Sequence, residues 1–205
     1  MSLKENSFAT HFRLRADDAC APASGSAAAV RAHSTPVLGV LAREALLVLA
    51  GTVAIALIGQ LRVPLPFTPV SITLGTLAVL GVGSVLGSRR GAASALLLAA
   101  AALAGIPVLT GFMSGVTATF GYVLGYTPAA AVAGLAGRTA SWPRRLALLL
   151  LASAIVYVPG MAWLAVATGA PLSSLLGMGL VPFLVGDLLK SLLASVIPTR
   201  LGRRS

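Results

Sequence analysis

Asp187 and Lys190 stand three residues apart in an otherwise apolar run, 181–197. On a helix, positions i and i+3 share one face. Each charge placed inside a bilayer costs roughly 2.5 to 3.5 kcal/mol on insertion scales, so intramembrane charges are rarely idle. A carboxylate supplies acceptors and an ammonium supplies donors. Together they suit a zwitterionic or hydrogen-bonding solute, or they neutralise one another as an ion pair that binds nothing. Tyr122, in the outer part of another apolar run, either turns its hydroxyl toward a ligand or belongs to an interfacial aromatic belt. Other chemistries lack their residues. No Walker-type phosphate loop and no Gly-x-Ser-x-Gly motif occurs, and His11 and His33 both fall in the polar N-terminal stretch. Cys20 is the single cysteine, which excludes an intrachain disulfide. A nucleotide-driven pump and a membrane hydrolase are thereby set aside. What remains is non-enzymatic binding or passage of a small solute, with no cofactor and no metal.

The elements that position the pair follow from composition. Of 205 residues, 57% are hydrophobic and only 10% charged, and the mean hydropathy is +0.94. An ordinary soluble domain carries about a quarter charged residues. The formal charge of +10 would suggest nucleic acid in a soluble chain. Here the basic residues sit between apolar runs, as in a membrane protein. Six runs approach the roughly 20 apolar residues needed to cross a hydrocarbon core: 38–60, 71–87, 91–109, 119–137, 146–168 and 181–197. The expected fold is an all-α integral membrane protein of six transmembrane helices. Residues 1–35 read as a disordered cytoplasmic tail, 36–198 as the membrane domain, and 199–205 as a basic cytoplasmic tail.

With both termini in the cytoplasm, that side collects 13 of the 15 basic residues, including Arg43, Arg89, Arg90, Arg138, Arg144 and Arg145. Arg62 alone lies across the membrane, and Lys190 lies within it. This division matches the positive-inside rule and makes a multi-pass protein of the cell membrane with both termini inside. At about 1.5 Å per residue, Asp187 is expected roughly 9 Å and Lys190 about 13 Å below the outer start of the last helix.

Two outer loops lie above that pair. Residues 61–70 are apolar yet contain Pro64, Pro66 and Pro69, so the loop after the first helix should be extended or re-entrant and buried against protein. Residues 106–118 form a second uncharged loop with Gly111 and Gly115. The two are placed to cap a cavity. Small residues spaced four apart occur as Ala50 and Ala54 in the first run and Gly121 and Gly125 in the fourth, a spacing that lets helices approach closely within the bundle or against a partner.

The stretch Arg62-Val63-Pro64-Leu65-Pro66-Phe67-Thr68-Pro69-Val70-Ser71-Ile72-Thr73-Leu74 and the closing Pro182-Phe183-Leu184-Val185-Gly186-Asp187-Leu188-Leu189-Lys190 carry a family likeness. Leu86-Gly87-Ser88-Arg89-Arg90-Gly91, Gly105-Ile106-Pro107-Val108 and Gly121-Tyr122-Val123-Leu124-Gly125-Tyr126 follow in the same order between them. Together they resemble the BioY family, the biotin-binding substrate components of energy-coupling factor (ECF) transporters. The resemblance implies a six-helix subunit that captures biotin and works with a transmembrane coupling protein and two cytoplasmic ATPases. It also implies that Asp187, Lys190, Tyr122 and Thr68 contact the ligand and that Ala50 and Ala54 face the coupling protein; Phe67, an apolar residue of the same loop as Thr68, suits the cover of an apolar ring. The chain departs from the family at Gly75, where Gln is usual, and at Ala118-Thr119-Phe120 before Gly121-Tyr122. These changes leave a biotin relative or another small vitamin as the alternative ligand. A stand-alone secondary transporter using Asp187 is the alternative from another class.

Overall fold

The computed structural model describes residues 34–63 and 71–197. The two tails and residues 64–70 lie outside the described residues, and with them Phe67 and Thr68. The chain divides into Met1–Val40 and Leu41–Ser205. Of the first unit only the opening of one helix, residues 34–40, is described; all that follows concerns the second unit.

The described elements are α1 (Ser34–Gly59), β1 (Arg62–Val63), β2 (Ile72–Thr73), α2 (Gly75–Leu86), α3 (Ser88–Leu103), α4 (Phe120–Ala136), α5 (Trp142–Thr168), α6 (Leu172–Gly179) and α7 (Val181–Val196). Segments Leu38–Gly59, Trp142–Thr168 and Ser173–Val196 are long and apolar enough to cross a membrane, while α2 and α4 are shorter apolar helices. The last span therefore begins about one α6 earlier than its sequence signal, with a break at Leu180. The third stops at Leu103 and not at 109, because Pro107 lacks a donor and forces Ile106 out of helical geometry. The fifth starts at Trp142, with Pro143 in a first turn where no donor is needed. Between α2 and α3 stands one residue, Gly87, at φ 87°, a left-handed conformation that glycine adopts without strain.

Helix α4 is the centre of the bundle, packing on α2, α3 and α5. Small residues make this possible. Ala129, Ala130 and Ala133 of α4 are fully buried, as are Ala95 of α3 and Ala152 of α5, whereas Leu46, Leu57, Leu96, Val158, Val166 and Val196 point outward. Large residues outside and small ones inside suit helices that associate by close van der Waals contact in lipid. Gly121 and Gly125 lie in the α4–α5 contact. A Cβ on Gly121 would come 2.2 Å from the Cβ of Trp163, and one on Gly125 2.9 Å from the Cα of Val156. This glycine pair is internal packing, not a docking face.

Helix α1 joins α3 through polar groups. Thr52 Oγ1 donates to the Ser94 carbonyl (3.0 Å), Ser94 Oγ donates to the Val48 carbonyl (2.9 Å), and Arg90 grips Glu44 with two bonds of 2.6 Å. At the same end of the bundle, Arg145 of α5 donates to the Ile197 carbonyl (2.5 Å) just beyond α7, where unpaired helix carbonyls favour a cation.

The packing role of Gly121 makes a direct prediction. Gly121→Val should lower stability in detergent by about 1 to 3 kcal/mol, the usual cost of overpacking. Gly177→Ala, at a site with nothing within 4 Å, should change it by less than about 0.5 kcal/mol. Thermal unfolding of the two variants decides it, and an unperturbed Gly121→Val protein would contradict the α4–α5 contact.

Candidate functional site

Helix α7 is amphipathic in reverse. Phe183, Asp187, Lys190, Ser191, Ala194 and Ser195 form its buried stripe, while Leu184, Val185, Leu188, Leu189 and Leu193 face outward. The spacing of the buried set follows the helical period, so one face of the helix is turned inward along its whole length. Asp187 and Lys190 are 7% and 5% exposed, and Lys190 Nζ donates to Asp187 Oδ1 at 2.8 Å. The second carboxylate oxygen, Oδ2, accepts from the hydroxyl of Tyr157 on α5. One turn further along, Ser191 and Ser153 pair their hydroxyls at 3.3 Å, continuing the polar seam between α7 and α5. Both oxygens of the buried carboxylate thus have partners, a condition for holding a charge in a low-dielectric interior.

The pair borders a cavity of about 140 Å³, room for roughly ten waters. Tyr157, Asp187, Lys190 and Phe183 make one wall, and Tyr122, Val123 and Tyr126 of α4 another. Its mouth is bordered by Ser71 just before β2 and Thr73 within it, by Arg62 of β1 and by the loop from Val108 to Met113. The cavity therefore lies at the end of the bundle away from Arg89, Arg90, Arg138, Arg144 and Arg145, which flank the opposite helix ends.

Two elements shape the mouth. Arg62 pairs with Thr73 and Val63 with Ile72 in an antiparallel ladder, which brings together the two ends of the proline-rich segment. Gln60, just past α1, holds the second loop. Its Oε1 accepts from the backbone N–H groups of Gly111 (2.9 Å) and Phe112 (3.1 Å), and its Nε2 donates to the Leu109 carbonyl (3.0 Å). A single amide thus replaces several of the backbone partners that an irregular loop lacks.

Of the residues expected from sequence, Asp187, Lys190 and Tyr122 come together on this cavity. Tyr122 sits against Gly160, where a Cβ would be 2.5 Å from its ring, and its hydroxyl donates to the Gly179 carbonyl at 3.0 Å. It stands edge-to-face with Tyr157, ring centroids 6.4 Å apart, so what it brings to the cavity is chiefly aromatic surface. Ala50 is exposed and Ala54 half-buried on α1, and neither lines the cavity. Tyr157, Tyr126, Gln60 and Arg62 were missed. Gly75 explains one of them: a Cβ there would come 2.6 Å from the Tyr126 hydroxyl, which occupies the space a longer side chain would need.

A family profile described as BioY family matches residues 27–205. A probable biotin transporter BioY of Pyrococcus horikoshii is 33% identical over 153 residues, covering 73% of this chain and 90% of its own length. A biotin transporter BioY of Rhodobacter capsulatus is 36% identical over 167 residues, covering 70% and 88%. Among solved structures, the S-component for biotin from an ECF-type ABC transporter superposes with a TM-score of 0.71 at 28% identity, over 82% of this chain and 94% of that one.

Proposed function

The chain belongs to the BioY family, and on that premise we infer that it is the multi-pass, membrane-embedded S-component through which an ECF-type ABC transporter takes up biotin. It is a transport component and not an enzyme. The observation that carries the reading is the buried Asp187–Lys190 pair bordering a cavity beside three tyrosines.

Biotin suits that wall chemically. Its ureido group presents two N–H donors and a carbonyl, its thioether ring is apolar, and its valerate is anionic. Asp187 accepts from ureido N–H and Lys190 donates to the ureido carbonyl, each bond strengthened by a charge. The rings of Tyr122 and Tyr157 cover the bicycle, as apolar walls do in small-molecule pockets. Thr68, assigned to the ligand by the family resemblance, and Phe67, an apolar loop residue suited to cover its ring, lie outside the described residues. Where relatives carry Gln, this chain has Gly75, and the Tyr126 hydroxyl supplies a polar atom in that place.

The basic helix ends face the cytoplasm in this reading, with both termini inside and the cavity opening outward. A transmembrane coupling protein and two ATPases supply the energy. The exposed strip of α1 around Ala50 and Ala54, small and apolar, is the surface offered to the coupling protein. Ala50→Trp combined with Ala54→Trp should retain biotin binding while losing co-purification with the coupling protein; normal transport by that variant would place the contact elsewhere.

Binding itself is tested by calorimetric titration of biotin into the detergent-solubilised wild type, Asp187→Asn and Lys190→Met. Removing one member leaves a buried charge unpaired, at a cost on the order of 2 to 5 kcal/mol, so each variant should lose at least about tenfold in affinity. An inert ion pair predicts the reverse: unchanged affinity in all three proteins, with stability recovered when both substitutions are combined. That result would sink the assignment.

A further inference from the structure

Among the described residues there are two carboxylates, and both are committed: Glu44 to Arg90 and Asp187 to Lys190. Arg62 takes neither. It leaves β1 at the mouth of the cavity, exposed, while the Asp187–Lys190 pair lies buried within. Its guanidinium rests on the backbone of Gly111, where a Cβ would come within 2.9 Å of Cζ and Nη2 and 3.0 Å of Nη1. Gly111 has φ 76°, so this position is both left-handed and free of a side chain. Gln60 pins the Gly111 and Phe112 amides and so holds the shelf on which the guanidinium lies. The seat is built from two separate pieces of chain: residues 60–62 and the 104–119 loop.

Charge decides what such a seat receives. Asp187 and Lys190 cancel, so Arg62 leaves the cavity with one net positive charge. A solute carboxylate set against the inner pair would put two anions around one ammonium. Set at the mouth, it meets a cation that no carboxylate among the described residues pairs, and whose planar fork matches a carboxylate with two parallel bonds. We propose that Arg62 receives the carboxylate of the bound solute, and that this fixes the ligand's direction, with the ureido ring inward at Asp187, Lys190 and Tyr157. The assignment rests on the biotin reading and adds to it the residue that receives the carboxylate.

The test compares two probes, biotin and its neutral carboxamide, by calorimetry on the full chain in detergent at low salt. The wild type should prefer biotin by about tenfold, the scale of a hydrogen-bonded charge partner. Arg62→Gln should weaken biotin by about that factor and leave the carboxamide unchanged, bringing the ratio close to one. The retained carboxamide binding reports that the variant is folded. Arg62→Lys should keep part of the preference, and the wild-type preference should shrink in about 1 M salt, where exposed charges are screened. Equal weakening of both probes by Arg62→Gln, or an unaltered preference, would overturn the proposal. Absence of affinity for either probe in the wild type would defeat the biotin reading itself, and the role of Arg62 with it.

Discussion

A carboxylate and an ammonium buried between helices constrain everything else in this molecule. Neither Asp187 nor Lys190 is tolerable alone in the bundle interior, so each must meet the other, and the carboxylate needs a second donor for its remaining oxygen. Tyr157 supplies that donor from α5. The requirement sets the rotation of α7, turning its small and polar stripe toward α5 and its leucines toward lipid. It also sets the register of the two helices, since the Ser153–Ser191 contact one turn further along holds only when Tyr157 faces Asp187. A structure that satisfies the pair therefore also builds a polar wall on the cavity.

The rest of the bundle is organised by closeness. Alanines and glycines on α2, α3 and α4 bring the backbones together, and at that density little free space remains among them. The cavity lies where the helices end, beside β1, β2 and the 104–119 loop. There the backbone is irregular, and it is held by side chains: Gln60 gathers the second loop, and the short ladder gathers the ends of the first.

Much of this was legible in the sequence, for identifiable reasons. Hydropathy located the helices of an all-helical membrane protein, three of them long and apolar enough to cross a membrane, and the i,i+3 spacing of Asp187 and Lys190 placed both charges on one face. The lopsided distribution of arginines set the cavity end apart from the basic end. Glycine content marked the 104–119 loop, whereas the proline-rich residues 64–70 lie outside the described residues. Helix limits shifted where a proline acted locally, at Pro107 and Pro143. What escaped were relations between distant segments. Tyr157 is thirty positions from its partner Asp187, and nothing in its own surroundings announces the bond. Gln60 looked like the end of a span, yet it binds a loop some fifty residues on. Arg62 was counted only as a charge on the sparse side of the membrane. Such pairings belong to tertiary packing and leave no periodicity to read. Thr68, named from family resemblance, and Phe67, named as an apolar cover, lie there too.

Biotin as the occupant of this cavity is open to direct measurement. The most direct test is mass spectrometry of the small molecules released from the gently purified, unlabelled protein after expression in a biotin-containing medium. Biotin is expected at near-stoichiometric yield from the wild type and should be lost from the Asp187→Asn protein. Recovery of a different small molecule from the wild type, in the same yield and with the same dependence on Asp187, would contradict the biotin reading.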